Sequence, residues 1–214
     1  MKTRDRIIHS ATELFNDQGE RNITTNHIAA HLGISPGNLY YHFRNKEDII
    51  HSIFDQYARH LSESFTPARS DEIKLENLMG YLDAIFYLMW QFRFFYANLP
   101  DILSRDEPLQ QKYLKAQEQL RAAVVALLRS LREGGIINVS DEDLPDLGQT
   151  IKMVVTCWIP FQIAQAPNTR ITKPLLYQGV LRVLFLLRPY VQPQVADQIR
   201  QLEQHYRQLA QPAG

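Results

Sequence analysis

The chain has 214 residues, 45% of them hydrophobic, and its 23 Lys+Arg balance its 23 Asp+Glu. That apolar content supplies a core and excludes intrinsic disorder, and a net charge of zero confines any nucleic-acid contact to a local patch. The single cysteine, Cys157, excludes a disulfide framework and a cysteine-based zinc site. With no apolar segment after Met1-Lys2-Thr3-Arg4-Asp5 and no run near the ~18 residues of a membrane span, the expectation is a cytoplasmic protein with no membrane partner.

Apolar residues recur at helical spacing throughout, and no period-2 run bounded by turns appears, so the expected fold class is all-α. Ile7, Ala11, Leu14 and Phe15 define a first helix over 3–18. A second covers 25–32, capped by Thr24 or Thr25, and ends at Gly33, which permits a left-handed turn. Ser35 caps a third helix over 36–42, with Pro36 in its first turn. Leu39 and Phe43, four apart, turn inward and leave Ser35, Gly37, Asn38, Tyr40, Tyr41 and His42 outside. This is the pattern of a helix-turn-helix, and its surface suits DNA. Gly37 lets backbone approach closely, Asn38 offers a donor and an acceptor to one base edge, and tyrosine hydroxyls reach phosphates. Lys46 opens a fourth helix, 46–65, where its amine and the first-turn N–H groups can hold a phosphate. From Arg21 to Lys46 there are three positive charges (Arg21, Arg44, Lys46), three histidines (His27, His31, His42) and no carboxylate. His27 and His31 have a zinc-compatible spacing, but no third ligand stands nearby, and no metal site is expected.

The polar stretch 66–71 is the expected boundary between a domain over 1–66 and another over 67–214. Beyond it, helices are expected over 72–97, 101–106, 108–133, 143–166, 172–188 and 192–209, with Pro160 kinking its helix. Seven of the twelve residues from Ile85 to Tyr96 are aromatic, which predicts a helix enclosed by several others. Arg93 is the polar exception there, able to pair with a ligand anion or with a protein carboxylate such as Asp83 or Asp101. Helices 143–166 and 172–188 are apolar over more than one face, too apolar for a monomer surface. Cys157, beside Trp158, is expected to be an inert core thiol, and the last helix to pack on the body. No phosphate-binding glycine loop, nucleophile elbow or carboxylate pair is present, so neither catalysis nor a cofactor is expected. The rival reading for such a chain is a DNA-independent helical interaction module.

Residues 3–63 resemble the DNA-binding domain of the TetR family of bacterial transcription regulators. The likeness runs through Arg6-Ile7-Ile8, Ala11-Thr12-Glu13-Leu14-Phe15, Gly19, Ile23-Thr24-Thr25, Ile28-Ala29, Leu32-Gly33-Ile34-Ser35, Gly37-Asn38-Leu39-Tyr40-Tyr41-His42-Phe43 and Asn45-Lys46-Glu47-Asp48-Ile49-Ile50. The resemblance implies DNA contacts at Thr25, Ser35, Pro36, Gly37, Asn38, Tyr40, Tyr41, His42 and Lys46; Pro36 stands where the family commonly has lysine. It also implies an internal cavity in the second domain, with Tyr87, Trp90, Arg93 and Phe94 the candidate contacts to a small apolar or aromatic ligand. A four-helix homodimer interface is implied as well, with Val154, Trp158, Phe161, Val180, Leu184 and Leu187 the candidates. The implied function is a regulator, a repressor released by its ligand from a palindromic double-stranded operator.

Overall fold

The computed structural model describes residues 2–65, 75–167 and 169–212. Among them are ten α-helices: α1 Thr3–Gln18, α2 Thr25–Leu32, α3 Pro36–His42, α4 Lys46–Ser64, α5 Leu75–Gln91, α6 Arg93–Ser104, α7 Glu107–Glu133, α8 Leu144–Gln165, α9 Lys173–Leu187 and α10 Ala196–Leu209. The described residues hold no strand, only an isolated bridge between Ile137 and Val191. None of these helices is long and apolar enough to cross a membrane. The expected domain boundary at 66–71 lies outside the described residues.

Local chemistry sets the first helices. Thr24 and His27 form a capping box, in which the Thr24 hydroxyl accepts from the His27 backbone N–H and the His27 ring accepts from the Thr24 N–H. Gly33 sits at φ 65°, ψ 30°, and the Gly33 and Ile34 N–H groups donate back to Ala30 and Ala29. That paired closure lets α3 leave α2 sharply. Ser35 caps α3 by accepting from the Asn38 N–H at 3.2 Å. Leu39 and Phe43 then join Ile7, Phe15, Ile28 and Ile49 in the core. Pro36, Pro108, Pro145 and Pro174 all stand in the first turn of a helix, where the missing N–H costs nothing.

The aromatic stretch departs from the expected single helix over 72–97. α5 stops at Gln91, Phe92 leaves helical geometry (φ −117°, ψ 32°), and α6 begins at Arg93. The cause is Asn16 on α1. Its amide donates to the Gln91 carbonyl at 2.8 Å and its oxygen accepts from the Phe94 N–H at 3.0 Å. One distant side chain thus caps both sides of the break. α6 then runs through Pro100 rather than ending there, kinked at Asn98 (φ −128°), whose own amide donates to the Phe94 carbonyl.

α8 and α9 pack closely because Gly179 faces the Trp158 ring; a Cβ built there would lie 2.7 Å from it. The Trp158 indole N–H donates to the Leu175 carbonyl at 2.8 Å. α10 lies on α9 and buries Ile199, Leu202 and Tyr206, with the Tyr206 hydroxyl donating to Asp83 at 2.7 Å.

Candidate nucleic-acid interface

α3 buries only Leu39 among its seven residues. Ser35, Pro36, Gly37, Asn38, Tyr40 and Tyr41 are exposed, Tyr41 at 85%, and His42 is half-buried with its ring edge-on to Tyr41. The hydroxyls of Thr25 and Tyr40 lie 3.0 Å apart and tie α2 to α3. Any Cβ on Gly37 would meet nothing closer than Ser35 Oγ at 3.9 Å. The fold therefore does not demand glycine there, and the open space belongs to whatever approaches from outside. One short helix thus presents an amide, two phenols and bare backbone, the donor and acceptor types that read bases and grip phosphates.

The cationic footprint differs from the one expected. Arg44 is exposed, but Arg21 pairs with Asp101 of α6. Lys46 pairs with Glu20 at 2.8 Å and also donates to the Glu20 backbone carbonyl. Its ammonium reaches a phosphate only by leaving that partner. The Asn45 side chain caps α4 by accepting from the Asp48 N–H. Arg4 is a residue that helical periodicity missed. Its guanidinium lies 4.9 Å over the Phe43 ring and donates to Ser52, which sets a positive charge beside the end of α3. Its signal in the sequence was the basic cluster Lys2, Arg4, Arg6.

A polar junction joins this surface to the helices beyond α4. Glu20 is 1% exposed and bonds both Lys46 and Arg105; Asp101 bonds Arg21 and lies 3.6 Å from Arg105. His51 on α4 meets Asp106, the N-cap of α7, at 2.8 Å. Arg93 donates to Asp17 of α1 at 2.7 Å and to the Trp90 carbonyl. Its partner is therefore a protein carboxylate, neither of the two expected.

Beneath α4 lies a cavity of about 70 Å³ bounded by α4, α5, α6, α7, α8 and α9. Tyr57, Leu61 and Phe65 form its wall on the α4 side. None of the expected ligand contacts lines it. Tyr87 is exposed against His60, Trp90 is sandwiched by Arg93 and Lys173, and Phe94 is buried against Phe15. Of these rings only Phe94, which follows the break at Phe92, packs on α1. Tyr57 and Tyr96, 3.5 Å apart at their hydroxyls, are buried at the cavity. Burial raises both phenols above their ordinary pKa, so both are neutral.

Two family models match the sequence: "Bacterial regulatory proteins, tetR family" over residues 7–53 and TetR, "Bacterial transcriptional repressor", over residues 56–199. The chain belongs to the TetR family. It is similar to a TetR-family transcriptional regulator from Marinobacter aquaeolei VT8, with 41% identity and a TM-score of 0.87 over 97% of this chain and 100% of that one. It is 33% identical over 85 residues to the HTH-type transcriptional regulator SrpR of Pseudomonas putida, a match spanning 39% of this chain and 40% of SrpR. The SmeT–triclosan complex shares the fold, with 18% identity and a TM-score of 0.59 over 90% of this chain and 93% of that one. This TetR chain is thus a DNA-binding transcriptional regulator and not an enzyme.

The expected TetR dimer residues divide. Val180, Leu184 and Leu187 are buried within the chain and Trp158 lies over Gly179, so these four belong to the core and not to a free surface. Val154 is half-buried and Phe161 exposed. The outward apolar side chains are instead Met153, Phe161 and Phe185, at 56%, 52% and 57% exposure. Cys157 is exposed, not buried in the core. With spacings of four, Met153, Cys157 and Phe161 form one stripe of α8.

Proposed function

We propose that this TetR-family regulator is a homodimeric cytoplasmic repressor that leaves its palindromic operator when a small, largely apolar molecule enters the cavity under α4. The observation that carries the reading is the path of α4. It starts four residues after α3 ends, its first residue Lys46 is tied to Glu20, and its far end forms the cavity wall through Leu61 and the C-cap Phe65. A 19-residue helix is about 28 Å long, so one rigid element touches both places. The cavity of about 70 Å³ is well below the ~300–1,000 Å³ of a pocket holding a small molecule. A ligand therefore favours a state in which the walls have moved apart, and a difference in affinity between two arrangements is what shifts a population. Coupling of about 1–3 kcal/mol is enough. That SmeT, a protein of the same fold, is found with triclosan supports a small-molecule ligand.

The apolar stripe of α8 and Phe185 of α9 supply the two-fold contact in this reading. Two recognition helices would then meet successive major grooves, ~34–36 Å apart. Within the DNA surface, Asn38 is the base reader, Thr25, Ser35, Tyr40, Tyr41 and His42 position the duplex, and Gly37 and Pro36 bring backbone close.

The test starts by selecting DNA from a random pool with the full chain. Affinity for the selected duplex is then measured by fluorescence anisotropy and the protein's mass by light scattering. A palindromic consensus, a dimeric mass at micromolar concentration and affinity far above that for random DNA are expected. A monomeric mass, or equal affinity for selected and random duplexes, overturns the reading.

A further inference from the structure

The wall of the cavity is chemically divided. Tyr57, Tyr96, Gln117, Thr156 and Lys152 gather at its end nearest the DNA-binding helices. The two phenol oxygens are 3.5 Å apart, and the Lys152 ammonium donates to the Gln117 carbonyl at 3.2 Å. Thr156 also shares a smaller void with Tyr57 and Tyr96. Eight residues further along α4, about 12 Å at the helical rise, the wall is mainly hydrocarbon (Phe65, Leu78, Leu82, Leu127, Leu131 and Leu187), with the Tyr81 ring stacked on Phe65.

Lys152 is the one charged side chain among the described residues of this wall. No carboxylate among the described residues lies within ion-pair distance of it. Glu118, the acid that attracts it, is taken by Arg121 in a two-pronged contact at 2.6 and 3.1 Å. Lys152 is half-buried at this wall, held by the Gln117 carbonyl and attracted by Glu118 only from beyond ion-pair distance; a ligand anion that reaches it gains a charge-assisted contact. Burial, reinforced by Arg121, already pushes the ammonium below the ordinary lysine value. A single lysine with no arginine fork matches one negative charge; a doubly charged phosphate would keep half its charge unpaired in a low-dielectric site.

The geometry points to a monocarboxylate with an extended apolar tail as the ligand class, its head on Lys152 and the Tyr57/Tyr96 hydroxyls and its tail running toward Phe65. This rests on the proposed ligand response but names what that reading leaves open. It also moves the anion partner from Arg93, which Asp17 occupies, to a residue on α8.

The experiment titrates the full chain, without DNA, by calorimetry with sodium hexanoate, octanoate and decanoate and with methyl decanoate. Decanoate should bind at least tenfold more tightly than its methyl ester. Each added methylene should tighten binding about fourfold, the equivalent of ~0.8 kcal/mol. Lys152→Met should weaken decanoate at least tenfold while leaving the ester unchanged, and Lys152→Arg should keep the preference for the acid. Circular dichroism of the unliganded variants establishes that they fold. The inference is overturned if the folded wild type binds none of the acids, if the ester binds as well as the acid, or if Lys152→Met binds decanoate as the wild type does. Lys152-dependent binding of decanoate that leaves operator affinity unchanged would uphold this inference and overturn the proposed ligand response instead.

Discussion

The recognition helix and the cavity do opposite things with their side chains. α3 buries one residue and displays the rest; its information lies in what projects. The cavity is bounded by six helices drawn from residues 57 to 187; its information lies in what is missing. A projecting set is specified locally, by a cap, a proline and two inward anchors. A void is specified by all its walls together, so it tolerates change at any one wall and responds to displacement of any one wall. The two are joined by α4 and by the buried carboxylate of Glu20.

The sharpest way to break this contrast is Phe54→Ala. The ring is buried on α4 against Tyr57, Phe95 and Tyr113, and its loss should cost about 3–5 kcal/mol. Urea unfolding should show the loss in one cooperative transition. A separate, unaltered transition for α1–α3 would mean that the two regions fold independently. Asn16→Ala comes next. It leaves a part-buried Gln91 carbonyl and Phe94 N–H without the partner that holds them, at roughly 1–3 kcal/mol for each group so exposed. A variant as stable as the parent would show that the α5–α6 break has another cause.

Asn38→Ala should leave stability alone and cost about 1–3 kcal/mol on the selected operator, relaxing the preference at one base position. Anisotropy against a panel of single-base variants measures this; equal losses on operator and random DNA would disqualify Asn38 as the reader. The smallest effect on DNA binding is expected of Glu20→Gln. Removing this carboxylate frees Lys46 for a phosphate, so the dependence of log affinity on log salt should steepen by about one unit while thermal stability falls. An unchanged slope would mean that Lys46 stays away from DNA even when released.

The same contrast explains what the sequence made legible. The bounds of α1, α2 and α3 match the expected ones to the residue, because Gly19 closes α1 and Thr24, Gly33, Ser35 and Pro36 punctuate the other two. The family likeness over residues 3–63 added which of the exposed residues to name as DNA contacts. The break at Phe92 was invisible because its cap, Asn16, lies more than 70 residues upstream. Arg21 and Lys46 appeared as free cations because their acids sit just outside the window or in a distant helix. For α8 and α9, apolar residues occur on all sides, so periodicity could not tell the core positions Val180 and Leu184 from the outward Phe185. The exposure of Cys157 was lost in the same way. Lys152 carried no signal of its own, since one lysine on a helix looks like any solvated charge until the fold sets it at the wall of a cavity.

The cavity has a mechanical consequence. Side chains that line a cavity lack packing partners on one side, so the contacts that close it are weaker than those of a fully packed core. Hydrostatic pressure favours states that eliminate internal voids. Compression should therefore loosen the helices around Leu61 and Leu127 before it disturbs the tightly packed anchors Leu39 and Ile28. A molecule that occupies the chamber would oppose that force. The half of this regulator that holds the cavity is thus also its soft half, and a bound molecule would be felt as stiffness before it is felt as movement.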